Sequence, residues 1–197
     1  MLNSIKMKVG NIRKKEIRVT AMKCFLNKGF ENTTMEDVIR EVGMSVGGVY
    51  HHYSNTTEML KDLMIDGNEY RNRIIDDYLD KYKFEDKYEN MSNILVEKCL
   101  SDTENTKVYA LLLQAKKYNS ELEDLFQELK TETVEQLKMI SKKLGIDADI
   151  FSDGFLVDYI NGIILSNYIL GAKKTFESQK NFLKEAFVFY IKKIDEK

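Results

Sequence analysis

Residues 30–60 read FENTTMEDVIREVGMSVGGVYHHYSNTTEML. Thr34 precedes Met35-Glu36-Asp37, so its hydroxyl can cap the Asp37 amide while the carboxylates face the positive end of a helix. That second helix is short: Val38, Ile39 and Val42 supply its apolar side, and Gly43 stops it. Ser45 caps a third helix, from residue 46 to about 53, and Asn55 caps a fourth. Two short capped helices joined by the tight turn Val42-Gly43-Met44-Ser45 have the pattern of a helix-turn-helix. Gly47 and Gly48 keep the second of them slim enough to lie close to a groove floor. Tyr50, His51, His52 and Tyr53 then supply polar tips that can donate to phosphate oxygens.

Upstream, Ile12, Ile17, Ala21, Cys24 and Phe25 recur at mostly three- to five-residue spacing, which predicts a first helix over residues 8–28, closed by Gly29. Downstream, Met59, Leu60, Leu63, Met64, Ile74, Ile75, Tyr78 and Leu79 mark one side of a long fourth helix reaching about residue 81. Apolar periodicity then predicts helical segments over 88–100, 106–117, 120–144, 149–171 and 175–194. Proline is absent from all 197 residues, so nothing removes a backbone donor within these elements. The expected fold is all-α, with about nine helices: a three-helix helix-turn-helix domain (1–55) and a helical bundle (56–197).

The net charge of −2 divides at the same boundary. Residues 1–55 hold nine Lys/Arg and five acids; residues 56–197 hold 21 and 27. A negatively charged partner is therefore met by the first quarter of the chain. No stretch is apolar enough to span a membrane, two distant cysteines make no disulfide framework, and the start carries no apolar leader pattern, so the cytoplasm is the expected compartment. The two histidines are adjacent and point in different directions on a helix, which disfavours a metal site. With no Ser-His-acid set and no phosphate loop, neither an enzyme nor a cofactor is expected.

Gly29-Phe30, Thr33-Thr34, the apolar set Met35, Val38 and Ile39, then Gly43-Met44-Ser45, Gly47, Val49-Tyr50, Tyr53 and Leu60 resemble the TetR family of ligand-responsive transcriptional repressors over residues 11–61. The resemblance implies that Thr33, Thr34, Ser45, Val46, Gly47, Gly48, Tyr50, His51, His52 and Thr56 face DNA. Val46 and Thr56 stand where the family often has cations, and Gly48 where Thr, Ser or Ala is common. Arg13, Lys14, Lys15 and Arg18, in the basic first helix, are expected to compensate along the backbone, leaving base readout to Val46 on a thymine methyl and to DNA shape. The resemblance further implies an effector cavity, with Met64, Tyr70, Tyr78, Tyr109, Leu113, Phe126, Phe155 and Tyr159 as candidate lining. The segment 151–170 is apolar on every side and must be covered on every side, partly by an identical partner. Gly154, Asp158, Asn161, Gly162, Ser166 and Phe187 are the interface candidates, although Asp158 and Asn161 could equally bond within the chain or to an effector.

The expected activity is that of a homodimeric repressor that binds a partly palindromic double-stranded operator and is released by a small apolar or amphipathic effector. A helix-turn-helix activator or DNA-architectural protein without effector, and a helical adaptor for an acidic protein, are the alternatives.

Overall fold

Each helix end in the first sixty residues has a chemical cause. The computed structural model describes residues 2–81 and 86–196, apart from the side chains of 2–9, 74, 76, 78, 80, 81 and 148; the side chain of Tyr78, expected in the cavity, therefore lies outside the described residues. Helix α1 spans Leu2–Lys28, α2 Met35–Val42, α3 Val46–Tyr50 and α4 Thr56–Lys81. Thr34 and Asp37 form a reciprocal capping box at α2, with Thr34 Oγ1 accepting from the Asp37 amide and Asp37 from the Thr34 amide. Gly43 ends α2 at φ 68°, a left-handed conformation in which a side chain would be strained. Ser45 caps α3 by accepting from the Gly48 amide at 3.1 Å, and Asn55 caps α4 by accepting from the Glu58 amide at 2.8 Å. The third helix is shorter than its sequence suggests, ending at Tyr50, where a tight turn carries the chain to Tyr53.

The remaining helices are α5 (Lys87–Leu100), α6 (Glu104–Ala115), α7 (Ser120–Leu144), α8 (Phe155–Tyr168), α9 (Lys173–Ser178) and α10 (Lys180–Asp195), with short 3-10 turns at Lys116–Tyr118 and Ala148–Phe151. All regular structure among the described residues is helical. Two of the expected segments are divided. Residues 149–171 break at Gly154, whose φ of 71° turns the chain into α8, and residues 175–194 break between α9 and α10 at Gln179.

Two apolar clusters organise these helices. The first joins Ile17, Ala21 and Phe25 of α1, Val38 of α2, Val49 after Ser45, and Met59, Leu60 and Leu63 of α4 to Val108 and Leu112 of α6 and Leu122 and Leu125 of α7. The second is built mainly by α5, α7, α8 and α10 around Leu95, Leu137, Ile160, Phe187 and Ile191. The core of the first three helices thus runs on past residue 55 into α4, α6 and α7, because a three-helix unit this small buries too little surface alone. Tyr109 of α6 is packed against both clusters.

Replacing Thr34 by Ala is expected to lower the unfolding free energy by about 1 kcal/mol, read by urea denaturation. Asp37 accepts from Lys28 at 2.6 Å, from the Thr34 amide and from Arg40 at 2.6 Å, which together hold its carboxyl well below the ordinary range. The unfolded chain therefore takes up a proton that the folded chain refuses, so this stabilisation is whole above about pH 4 and drains away on further acidification. Asp37→Asn should be less stable than the parent at pH 7, with the difference shrinking toward pH 2.

Candidate nucleic-acid interface and effector cavity

The turn after α2 and the cap at Ser45 set α3 on the outside of the molecule. Val46 is 60% exposed and Tyr50 45%, with Gly47 and His51 also exposed beside them, while Val49 on the opposite side is fully buried and anchors the helix. Thr34, Ser45 and His51 are exposed, and Gly48, His52 and Thr56 half-buried. Burial first, then the charges of His51 and Lys14, lower the His52 pKa, so this ring is neutral at pH 7 and offers a single N–H. A Cβ at Gly48 would stand 3.0 Å from Ser45 Oγ, which gives this glycine a local reason as well as a groove-facing one.

Four expected contacts, those of Thr33, Tyr53, Lys14 and Arg18, are reassigned by the geometry. Thr33 is buried and donates its hydroxyl to the Gly29 carbonyl at 2.8 Å, closing the turn between α1 and α2. Tyr53 is buried and donates to Asp62 at 2.8 Å. Lys14 points inward to the same Asp62 at 2.6 Å and lies 5.0 Å from the Tyr53 ring centre. Arg18 completes the group, reaching Asp62 at 3.3 Å and Asp66 at 2.5 Å. Two cations of the basic first helix are thus committed to α4, whereas Lys15 is exposed and Arg13 is exposed but pairs with Glu16 at 2.8 Å. Periodicity placed these cations on the polar side of α1 and could not show that the acids of α4 lie against that side.

Burial pushes the Asp62 carboxyl upward, but the hydrogen bonds from Lys14 and Tyr53 and the Arg18 charge outweigh it and hold the group below the ordinary range. Tyr53, buried and donating to that carboxylate, is pushed well up and stays protonated.

A cavity of about 280 Å³ opens between α4, α5, α6 and α8. Of the expected lining, Tyr70 and Tyr109 are there. Met64 lines an adjoining crevice of about 10 Å³ together with Asn161. Leu113 and Phe126 are packed in the core, with Lys116 Nζ 4.1 Å from the Phe126 ring centre. Phe155 and Tyr159 are 50% and 42% exposed on the outer side of α8, where Phe155 stacks on Tyr190 at 5.3 Å.

The interface candidates divide in the opposite sense. Asn161 is buried and accepts from the Tyr109 hydroxyl at 3.1 Å, while its Nδ2 has no protein partner. Phe187 is buried, edge-on to Tyr159 at 5.9 Å. Gly154 is buried at the α8 turn. Asp158 and Gly162 are exposed and Ser166 half-exposed, with Asp158 paired to Lys130 at 2.7 Å. On a helix apolar all round, sequence alone could not tell the inner from the outer stripe.

The cavity residues that sequence reasoning missed include Gly67, Arg71, Lys98, Asn105 and Ile164. A signal was present: Arg71 follows Leu60, Met64 and Gly67 at steps of three or four, and Lys98 follows Ile94 and Leu95 likewise, so both cations sit on apolar stripes. Lys98 Nζ is buried without a hydrogen-bond partner, and burial followed by the Arg71 charge lowers its pKa well below the usual lysine value. Arg71 donates to Asn68 Oδ1 at 3.4 Å, and its own pKa is lowered by burial.

Removing the shared acceptor tests the α1–α4 clasp. Asp62→Ala is expected to lower stability by about 1–3 kcal/mol, because the Tyr53 hydroxyl and the Arg18 guanidinium lose a common partner in partly buried surroundings; denaturant unfolding measures it.

Comparison with known proteins agrees with this geometry. The family model described as "Bacterial regulatory proteins, tetR family" matches residues 17–63, a segment that includes α2, α3, Arg18, Tyr53 and Asp62. The uncharacterized HTH-type transcriptional regulator YfiR of Bacillus subtilis (strain 168) is 47% identical over 55 residues, 28% of this chain; the match spans about a quarter of that relative, 27% of its length. Among solved structures, a TetR-family transcriptional regulator from Syntrophomonas wolfei str. Goettingen superposes with a TM-score of 0.71 at 16% identity, covering 95% of this chain and 96% of the other. The regulator FadR from Bacillus subtilis, solved in complex with stearoyl-CoA, has a TM-score of 0.69 at 14% identity over 88% of this chain and 97% of its own. Residues 17–63 are thus similar to the tetR family of bacterial regulatory proteins, and the chain as a whole has the fold of these solved regulators.

Proposed function

We propose that the protein is a homodimeric transcriptional repressor whose α3 enters the major groove of a partly palindromic operator and whose cavity takes a small-molecule effector. The observation that carries the DNA reading is α3 itself. It is a short helix held by buried Val49, with Val46, Gly47, Tyr50 and His51 turned outward from a capped turn. Thr34 and Ser45 stand at neighbouring helix starts, where backbone amides and hydroxyls suit phosphate oxygens. With Lys14 and Arg18 committed to α4, backbone affinity falls to these groups, to Arg13 and to Lys15, which is also exposed.

Dimerisation is supported by an exposed apolar stripe along one side of the carboxy-terminal helices. Phe155, Tyr159, Gly162 and Ser166 recur on α8 at helical spacing, and Phe182 and Phe189 are each 67% exposed on α10. A patch of this kind is expected to be covered by a partner, and a second copy would place two α3 helices in successive grooves about 34–36 Å apart. The effector reading is supported by the cavity and by the likeness to FadR, which was solved with stearoyl-CoA. Helix α4 links the two sites: Asp62 and Asp66 clasp α1, and Gly67 and Arg71, the next residue and the fifth beyond Asp66, line the cavity. An effector acts on DNA binding through its differing affinity for the two arrangements of this helix.

Replacing both Tyr50 and His52 by Ala should weaken binding to operator selected from random duplexes by tenfold or more while leaving the melting temperature near its parental value; unchanged affinity refutes the DNA reading. Phe155→Glu with Tyr159→Glu should give a folded monomer by analytical ultracentrifugation, and a dimer that survives both changes moves the interface elsewhere.

A further inference from the structure

A lysine ammonium buried without a partner is costly in a folded protein, and a second buried cation beside it adds repulsion. Lys98 and Arg71 present this situation on neighbouring walls of one cavity. Among the described residues no carboxylate offsets them there. Glu97 also lines the cavity, but its carboxylate is turned out to Lys180 at 2.9 Å and is 71% exposed. Asn68 gives Arg71 only a neutral acceptor at 3.4 Å. The rest of the wall is a mixture of apolar side chains and neutral donors, with Ile75, Ile94, Ile164 and the rings of Tyr70 and Tyr109 supplying the apolar part.

A pocket meant for an uncharged apolar molecule has no use for two cations, whereas an anionic head would satisfy both. We propose that the cavity selects an amphipathic anion, its carboxylate or phosphate oxygens received by Lys98 Nζ and the Arg71 guanidinium and its apolar body lying among Ile75, Ile94, Ile164 and the two tyrosine rings. At about 30 Å³ for each water-sized group, 280 Å³ admits roughly nine or ten non-hydrogen atoms, the size of an eight-carbon acid. The inference rests on the effector reading above and names the chemical class of that effector. It also supplies a route to the DNA-binding domain: Arg71 lies nine residues along α4 from Asp62, so an anion drawing on Arg71 pulls on the helix that α1 grips.

The test uses the full-length protein without DNA. Isothermal calorimetry compares hexanoate, octanoate, decanoate and octyl phosphate with octanol. At least one anion is expected to bind tenfold or more tightly than octanol, with octanoate against octyl phosphate distinguishing the two head groups. Lys98→Met is expected to fold with a melting temperature at or above the parent's and to lose the anion preference by tenfold or more while keeping octanol binding; Lys98→Arg should restore it. Arg71→Met, read in the same way, keeps the proposal testable if Lys98→Met fails to fold. Octanol binding as tightly as every anion, no anion binding at all, or an anion preference unchanged in both methionine variants overturns the proposal. Operator release is measured separately. An anion that binds as expected but releases no DNA sinks the effector reading and leaves the anion site standing; release driven equally by octanol does the reverse.

Discussion

The carboxylate of Asp62 holds the two halves of this molecule in register. It accepts from the Tyr53 hydroxyl at the end of the recognition turn and receives Lys14 and Arg18 from the first helix. Three side chains from two other segments therefore meet at one group on α4. Its strength comes from partial burial: in open water such pairs contribute little, whereas Arg18 and Asp62 are screened from solvent on most of their surface. The hydrogen bonds keep the carboxylate charged although burial alone would raise its pKa. The same clasp ties two cations of α1 to carboxylates of α4, so the placement of the first helices is obtained at the expense of their free positive charge.

From that clasp α4 runs directly into the cavity wall. Along the helix, Gly67 directly follows Asp66 and Arg71 lies five residues on, about one and a half turns, too short for bending to absorb a displacement. Helix α6 supports both ends of this path, since Val108 and Leu112 pack under the amino-terminal helices while Asn105, Thr106 and Tyr109 face the cavity. A change in how the cavity is filled can therefore reach α1 through two packed helices without passing through a loop.

The inner and outer sides of α8 complete the arrangement. Its inner side contributes Asn161 to the polar crevice and Ile164 to the cavity, and its outer side carries Phe155, Tyr159 and Gly162. One helix thus borders the cavity on one side and presents an exposed apolar surface on the other. On the proposed reading, ligand and partner would be separated by a helix diameter, which would give a small molecule access to the spacing between two copies of α3.

Sequence by itself determined what depends on near neighbours. Thr34, Gly43, Ser45 and Asn55 mark helix ends because caps and left-handed turns are satisfied within three or four residues, and the all-helical architecture follows from the 3.6-residue period and the absence of proline. The helix-turn-helix and its outward residues were legible for the same reason. Only the tertiary structure decided which cations are free, which side of α8 is buried and where the cavity lies. Lys14 and Thr33 carry the residue types of phosphate ligands, yet their partners are Asp62 and the Gly29 carbonyl. Phe155 and Phe187 are the same residue type, and only packing against α10 and the core puts one outside and the other in. Periodicity records how often apolar residues recur; it contains no information on what the opposite side of a helix will meet, because that depends on contacts between residues far apart in the chain.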